Sequence, residues 1–113
     1  MEPSPAQIRD VRLHVQNHQP HDVTLVVEPW GEEVVLLAGM TVTVIVRGVR
    51  AAEVELVWGE QYFTLFAAPG STLAVEDERG SRVLDIEIPV PGLPEGMSTR
   101  AFVRQVLEGE AEI

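Results

Sequence analysis

Three histidines, His14, His18 and His21, fall within eight residues of one another, and Asp22 follows directly. Two or three imidazoles with a carboxylate would suit zinc, copper or nickel, so this cluster is the candidate metal site. Its spacing runs from an alternating segment into the loop sequence NHQPHD and matches no pair of histidines one helical turn apart. The competing reading is a solvated loop with His14 exposed on a strand. Carboxylates offer a second chemistry. Glu32 or Glu33 with Glu60, on equivalent turns, could form the acid and base of a glycosidase; the competing reading is acidic hairpin tips that keep the strands soluble. Trp30 offers a third. An indole in the turn EPWG is the candidate ligand-binding residue, a stacking surface for carbohydrate or for a proline-rich peptide. Trp58 shares strand parity with Val54 and Leu56 and is assigned to the core.

Other chemistries fail on inventory or on spacing. The chain has no cysteine, which removes thiolate metal sites, blue-copper centres, iron–sulfur clusters and cysteine nucleophiles. None of the three histidines is followed by a carboxylate at the His-x-Asp/Glu spacing of a double-stranded β-helix iron site. Ser71, Ser81 and Ser98 lie in no nucleophile elbow, and with the histidines confined to one region a Ser-His-Asp triad has no support. Pro91-Gly92 and Glu95-Gly96 punctuate a loop and do not resemble a phosphate-binding turn. No catalytic residue is assigned, and no cofactor is expected.

The 113 residues carry a net charge of −10, and every basic residue is an arginine. Such a surface repels phosphate backbones, so nucleic acid is not an expected partner. The absence of cysteine and the lack of a basic or apolar leader in MEPSPAQIRD point to a reducing, cytoplasmic location. The uncharged run over 34–46 is much shorter than the ~20 residues a membrane helix requires, so no membrane association is expected.

Positioning falls to β-strands. Over 9–17, Val11, Leu13 and Val15 alternate with Arg12, His14 and Gln16, the period of a strand with one wet face. Segment 17–22 reads as a loop, and 23–28 as a strand with Val23, Leu25 and Val27 on one face. Pro29 is suited to the second position of a type I turn and Gly31 to the left-handed position after it. Strands are expected at 34–37, 41–47, 53–58, 61–66, from Leu73 through Val75, and at 82–88, the last with Leu84, Ile86 and Ile88 inward. The segment from Tyr62 to Phe66 is the expected centre of the core, and DERGS a hairpin loop. Val26 and Ile45 break the polar pattern opposite the core positions, and together suggest a covered apolar face.

A weak repeat relates WGEE followed by Leu37-Ala38 to WGEQ followed by Leu65-Phe66, each then leading through Gly-x-Thr into a strand. It suggests two similar three-stranded units. Three prolines over 89–96 cannot continue a sheet. Ser98 is then a good N-cap, Met97 and Phe102 have the spacing of a hydrophobic staple, and a helix over 98–108 should dock its apolar stripe on one end of the sheets.

The residues Glu28, Pro29, Trp30, Gly31 and Glu32, then Gly39, then Pro69, Gly70 and Ser71, resemble a group of small bacterial proteins of uncharacterised activity. These share an EPWGE hairpin and a later PGS turn, and the resemblance implies no reaction. The expected architecture is a mostly β domain: an antiparallel sandwich or flattened barrel of about seven or eight strands with one C-terminal α-helix. Residues 1–8 form a loose arm, 9–109 the domain and 110–113 an acidic tail. The leading functional expectation is a non-catalytic binding or assembly domain, with a homodimer or another protein as partner through the face bearing Val26 and Ile45. The alternatives are a metal-dependent or acid/base enzyme built on His14, His18 and His21, and a carbohydrate- or peptide-binding module built on Trp30.

Overall fold

The computed structural model describes residues 7–107. The expected tail over 110–113, the end of the helix at 108 and most of the N-terminal arm lie outside the described residues. Among the described residues eight strands form two four-stranded sheets: β1 (Arg9–Gln16), β4 (Thr41–Gly48), β7 (Thr72–Glu76) and β8 (Arg82–Ile86) in one, and β3 (Glu32–Leu36), β2 (Val23–Glu28), β6 (Tyr62–Phe66) and β5 (Glu55–Trp58) in the other, each in that spatial order. The sheets are separate, so the sandwich form of the expectation holds.

Alternation explains the core. In the first sheet the rows Val11–Val46–Leu73–Ile86 and Leu13–Val44–Val75–Leu84 face inward. In the second, the row Val34–Leu25–Phe63–Trp58 lies beside Val27–Leu65–Leu56. Leu25, Val27, Val44, Val46, Phe63, Leu65 and Val75 lose all contact with solvent. Burying side chains of this size contributes about 1.5–3 kcal/mol each before chain entropy is counted. Interdigitating inner faces of two sheets are what a sandwich core requires.

One pairing departs from the antiparallel rule: β2 and β6 run parallel, with Leu25 beside Phe63 and Val27 beside Leu65. The two related segments account for it. In each, a hairpin in one sheet (β2–β3, β5–β6) sends its next strand (β4, β7) across to the other sheet, where β4 and β7 pair. The first hairpin turns its first strand to the middle of the sheet and the second hairpin turns its second, so no two-fold relates them.

The turns follow their chemistry with two changes. Gly31 takes φ of 76° as expected, and its N–H donates to the Val27 carbonyl at 2.9 Å, but the Glu28–Pro29 peptide is cis, unlike the second position of a type I turn. In DERGS, Asp77 Oδ1 accepts from the N–H groups of Arg79 and Ser81, and Gly80 has φ of 83°. Residues Ala51–Glu53 form a 3₁₀ turn, so β5 begins later than alternation suggests.

Three burial expectations are corrected. Val26 lies on the outer face of the second sheet and Ile45 on that of the first, so they share no face; Ile45 is nonetheless only 7 % exposed, in a groove also lined by Arg12, Arg47 and Arg82. Ile88 is 75 % exposed because β8 ends at Ile86. Trp58 keeps its inward parity but is 63 % exposed, since β5 is an edge strand and Trp58 is its last residue.

At the C-terminus Ser98 caps as expected, its Oγ accepting from the Ala101 N–H at 3.1 Å. The helix is short, α1 (Thr99–Phe102), and continues as a π-helical turn over Val103–Leu107. It docks within the chain. Thr99 Oγ1 donates to the Ala67 carbonyl at 2.6 Å, Arg100 pairs with Glu55 at 3.0 Å, and Val103 is buried. No helix among the described residues is long and apolar enough to cross a membrane.

Candidate functional site: an aromatic shelf beside a neutral cleft

The histidines do not converge. His14 sits on the outer face of β1, where its Nδ1 lies 3.1 Å from the Thr43 hydroxyl. His18 lines a cleft at the end of the sandwich. The Nδ1 of His21 lies 3.0 Å from the Asp22 carbonyl, in a separate surface depression beside Tyr62. Among the described residues, no three His, Asp or Glu side chains gather in a way that could hold a metal ion. Glu32 lies in β3 and Glu60 in the β5–β6 turn, on opposite edges of the second sheet.

Trp30 turns back onto the molecule. Its ring packs against the core cluster and its Nε1–H donates to the Ile88 carbonyl at 2.8 Å. A partly buried indole whose one donor is already satisfied offers little to a ligand. The exposed indole is Trp58. Its ring lies flat on Phe63, with centroids 3.8 Å apart and planes within 8°, and Phe63 has no solvent exposure at all. One face of the indole is therefore held by the core and the other is left to solvent.

Beside this shelf lies a cleft of about 100 Å³, lined by the apolar Val15, Val23, Leu36 and Phe63 and by the polar run Gln16, Asn17, His18 and Gln19. Gly59 continues the Trp58 wall without a side chain; its N–H donates to the Tyr62 carbonyl at 2.8 Å, which closes the β5–β6 turn tightly.

The polar part of the lining is organised by Asn17, which is 3 % exposed. Its Nδ2 donates to the carbonyls of His21 and Leu36, both at 2.9 Å, and of Leu37 at 3.2 Å. Its Oδ1 accepts from the Gln19 N–H at 2.8 Å, the two-residue reach of an Asx turn. Its backbone N–H donates to Met40 and its carbonyl accepts from Gly39. One residue thus ties the β1–β2 loop to the β3–β4 bend, and fixes His18 and Gln19 against the cleft.

Among the described residues the lining carries no Asp, Glu or Arg, although the chain as a whole has a net charge of −10. His18 and Gln19 make no side-chain hydrogen bond within the described residues, so their polar atoms are uncommitted. In two surface ion pairs, the hydrogen bond from Arg50 holds the Glu53 carboxyl below its ordinary value, and the hydrogen bond to Glu76 raises Arg82.

In comparisons with known proteins, no family model, no curated protein and no solved structure matches the chain. The site therefore rests on its own geometry. Sequence parity identified Trp58 as core-facing but could not show that its strand closes the sheet. Asn17 had a local signal, an Asn opening a turn-rich loop, but its partners at Leu36 and Leu37 are distant in sequence.

Proposed function

We propose that this chain is a non-catalytic binding domain whose contact site is the Trp58 shelf and the adjoining cleft. The observation that carries this reading is an indole 63 % exposed yet stacked flat on the fully buried Phe63. Exposing that much apolar surface costs stability, whereas holding it rigid lowers the entropy lost when a ligand settles on it. The cleft is concave and mostly apolar with a few placed polar groups, as small-ligand sites are, and at about 100 Å³ it takes only the edge of a ligand whose body rests on the indole. Acid–base chemistry is a poorer fit, because among the described residues His18 is the one titratable side chain lining the cleft and proton transfer of that kind commonly needs a second group within reach.

Mapping by amide NMR tests the site without knowledge of the ligand. With a set of small neutral ring fragments, shift changes should cluster on Gln16, His18, Gln19, Gly59 and the Trp58 indole. Changes centred on Trp30 or on the His21–Tyr62 depression would contradict the assignment.

A further inference from the structure

We infer that the ligand of this cleft is a neutral saccharide, a pyranose ring laid on Trp58 with its hydroxyls turned to His18 and Gln19. The inference rests on the reading of the Trp58 cleft as a binding site and adds the chemistry of the occupant. The free face of an indole carries the negative side of the ring quadrupole and attracts the weakly positive C–H face of a sugar ring. Phe63 fixes the plane of that face from beneath, at a centroid spacing of 3.8 Å.

Charge selects next. Among the described residues the lining holds no carboxylate to seat a cation, although the indole face itself attracts one, and no Arg to seat an anion; a neutral ring uses the same face without giving up ionic hydration. The net charge of −10 further opposes sugar acids and phosphorylated sugars.

Hydrogen bonding separates a saccharide from a prolyl peptide, the other neutral group that stacks on tryptophan. The Gln19 amide has both donors and acceptors, and the His18 ring nitrogens stand beside it. A sugar hydroxyl is likewise donor and acceptor, so paired hydroxyls satisfy such groups. A prolyl residue has a carbonyl and no N–H, so it could engage only their donors and would leave their acceptors to solvent.

Calorimetric titration of the full chain with cellobiose, maltose and chitobiose, beside galacturonate and a blocked tri-proline peptide, tests the inference; the Trp58 indole N–H resonance is followed in parallel. Saturable binding of at least one neutral disaccharide is expected, with the Trp58 resonance shifting. Trp58→Ala should weaken it about tenfold or more, the scale of one lost stacking contact and its desolvated surroundings. Gln19→Ala, on an exposed loop position, should weaken it severalfold while leaving the fold intact, so the inference remains falsifiable if the tryptophan variant folds poorly. Galacturonate binding as tightly as the neutral sugars would overturn it. Binding of the peptide alone, with the Trp58 resonance shifting, would overturn the saccharide and leave the cleft standing; silence from every probe would overturn both.

Discussion

Asn17→Ala should lower the stability of the domain by about 3 kcal/mol, near 1 kcal/mol for each of the two amide N–H groups and the one amide oxygen that lose their partners. The two amide N–H groups are shared among the carbonyls of His21, Leu36 and Leu37, and Oδ1 accepts from Gln19; alanine removes these bonds from a mostly buried setting and leaves the Leu37 carbonyl with Met40 alone. For a domain of this size the melting temperature should fall by about 10 °C or more. Asn17→Asp should be worse at neutral pH, since an anionic oxygen would then face the carbonyls of His21, Leu36 and Leu37. The sign with pH follows. Burial against carbonyl oxygens raises the carboxyl's folded-state pKa above its unfolded value, so stability of the Asp variant should fall as pH rises through the carboxyl range. The Ala variant should show no such added slope. Chemical denaturation of the three proteins at acid and neutral pH provides the measurement, and equal stability of all three at neutral pH would mean that Asn17 is not the tie between the loops.

Phe63→Ala should cost about 3–5 kcal/mol, the range for emptying a buried aromatic site. Phe63 belongs to the row Val34–Leu25–Phe63–Trp58, in a central strand, and is fully enclosed. Its effect should extend to the shelf. Trp58→Ala alone should cost about 1 kcal/mol, chiefly the stacking term, because the indole is already mostly in water. Combining the two substitutions should therefore give a coupling energy of about 1 kcal/mol, whereas side chains with no mutual contact would add independently. Phe63→Leu separates the roles: it keeps most of the volume and the fold, and removes the flat support under the indole. That variant should remain folded and bind the neutral probes more weakly.

Strand positions and turns were the legible part of this fold. Alternation at Val11, Leu13 and Val15, at Val23, Leu25 and Val27, and at Val42, Val44 and Val46 sets which side of each strand faces inward, and the structure keeps all of those parities. Gly31 and the DERGS turn were legible for the same local reason: few residues tolerate the backbone they adopt. Lateral order was not legible. A period of two says which face is buried, and is silent on whether a strand lies at the middle or the edge of its sheet. Hence Trp58, with core parity, comes out exposed at the end of β5, and the parallel pairing of β2 with β6 has no signature in either strand alone.

The candidate site was obscured in the same way. Trp30 sits in a turn, and turns are usually exposed, but the hairpin bends far enough for its indole to reach the Ile88 carbonyl. The histidines are close in sequence because they straddle a strand end and a loop. That placement sends His14 to an outer sheet face, His18 to the cleft and His21 to a different depression.

Acrylamide quenching of two single-tryptophan variants tests most directly the claim that the chain presents Trp58, rather than Trp30, on a rigid aromatic support. In Trp30→Phe the remaining Trp58 should emit toward the red, quench strongly and lose that quenching as the cleft is occupied. In Trp58→Phe the remaining Trp30 should emit further to the blue and quench weakly whether or not a ligand is present. A protected Trp58 beside a freely quenched Trp30 would contradict the account.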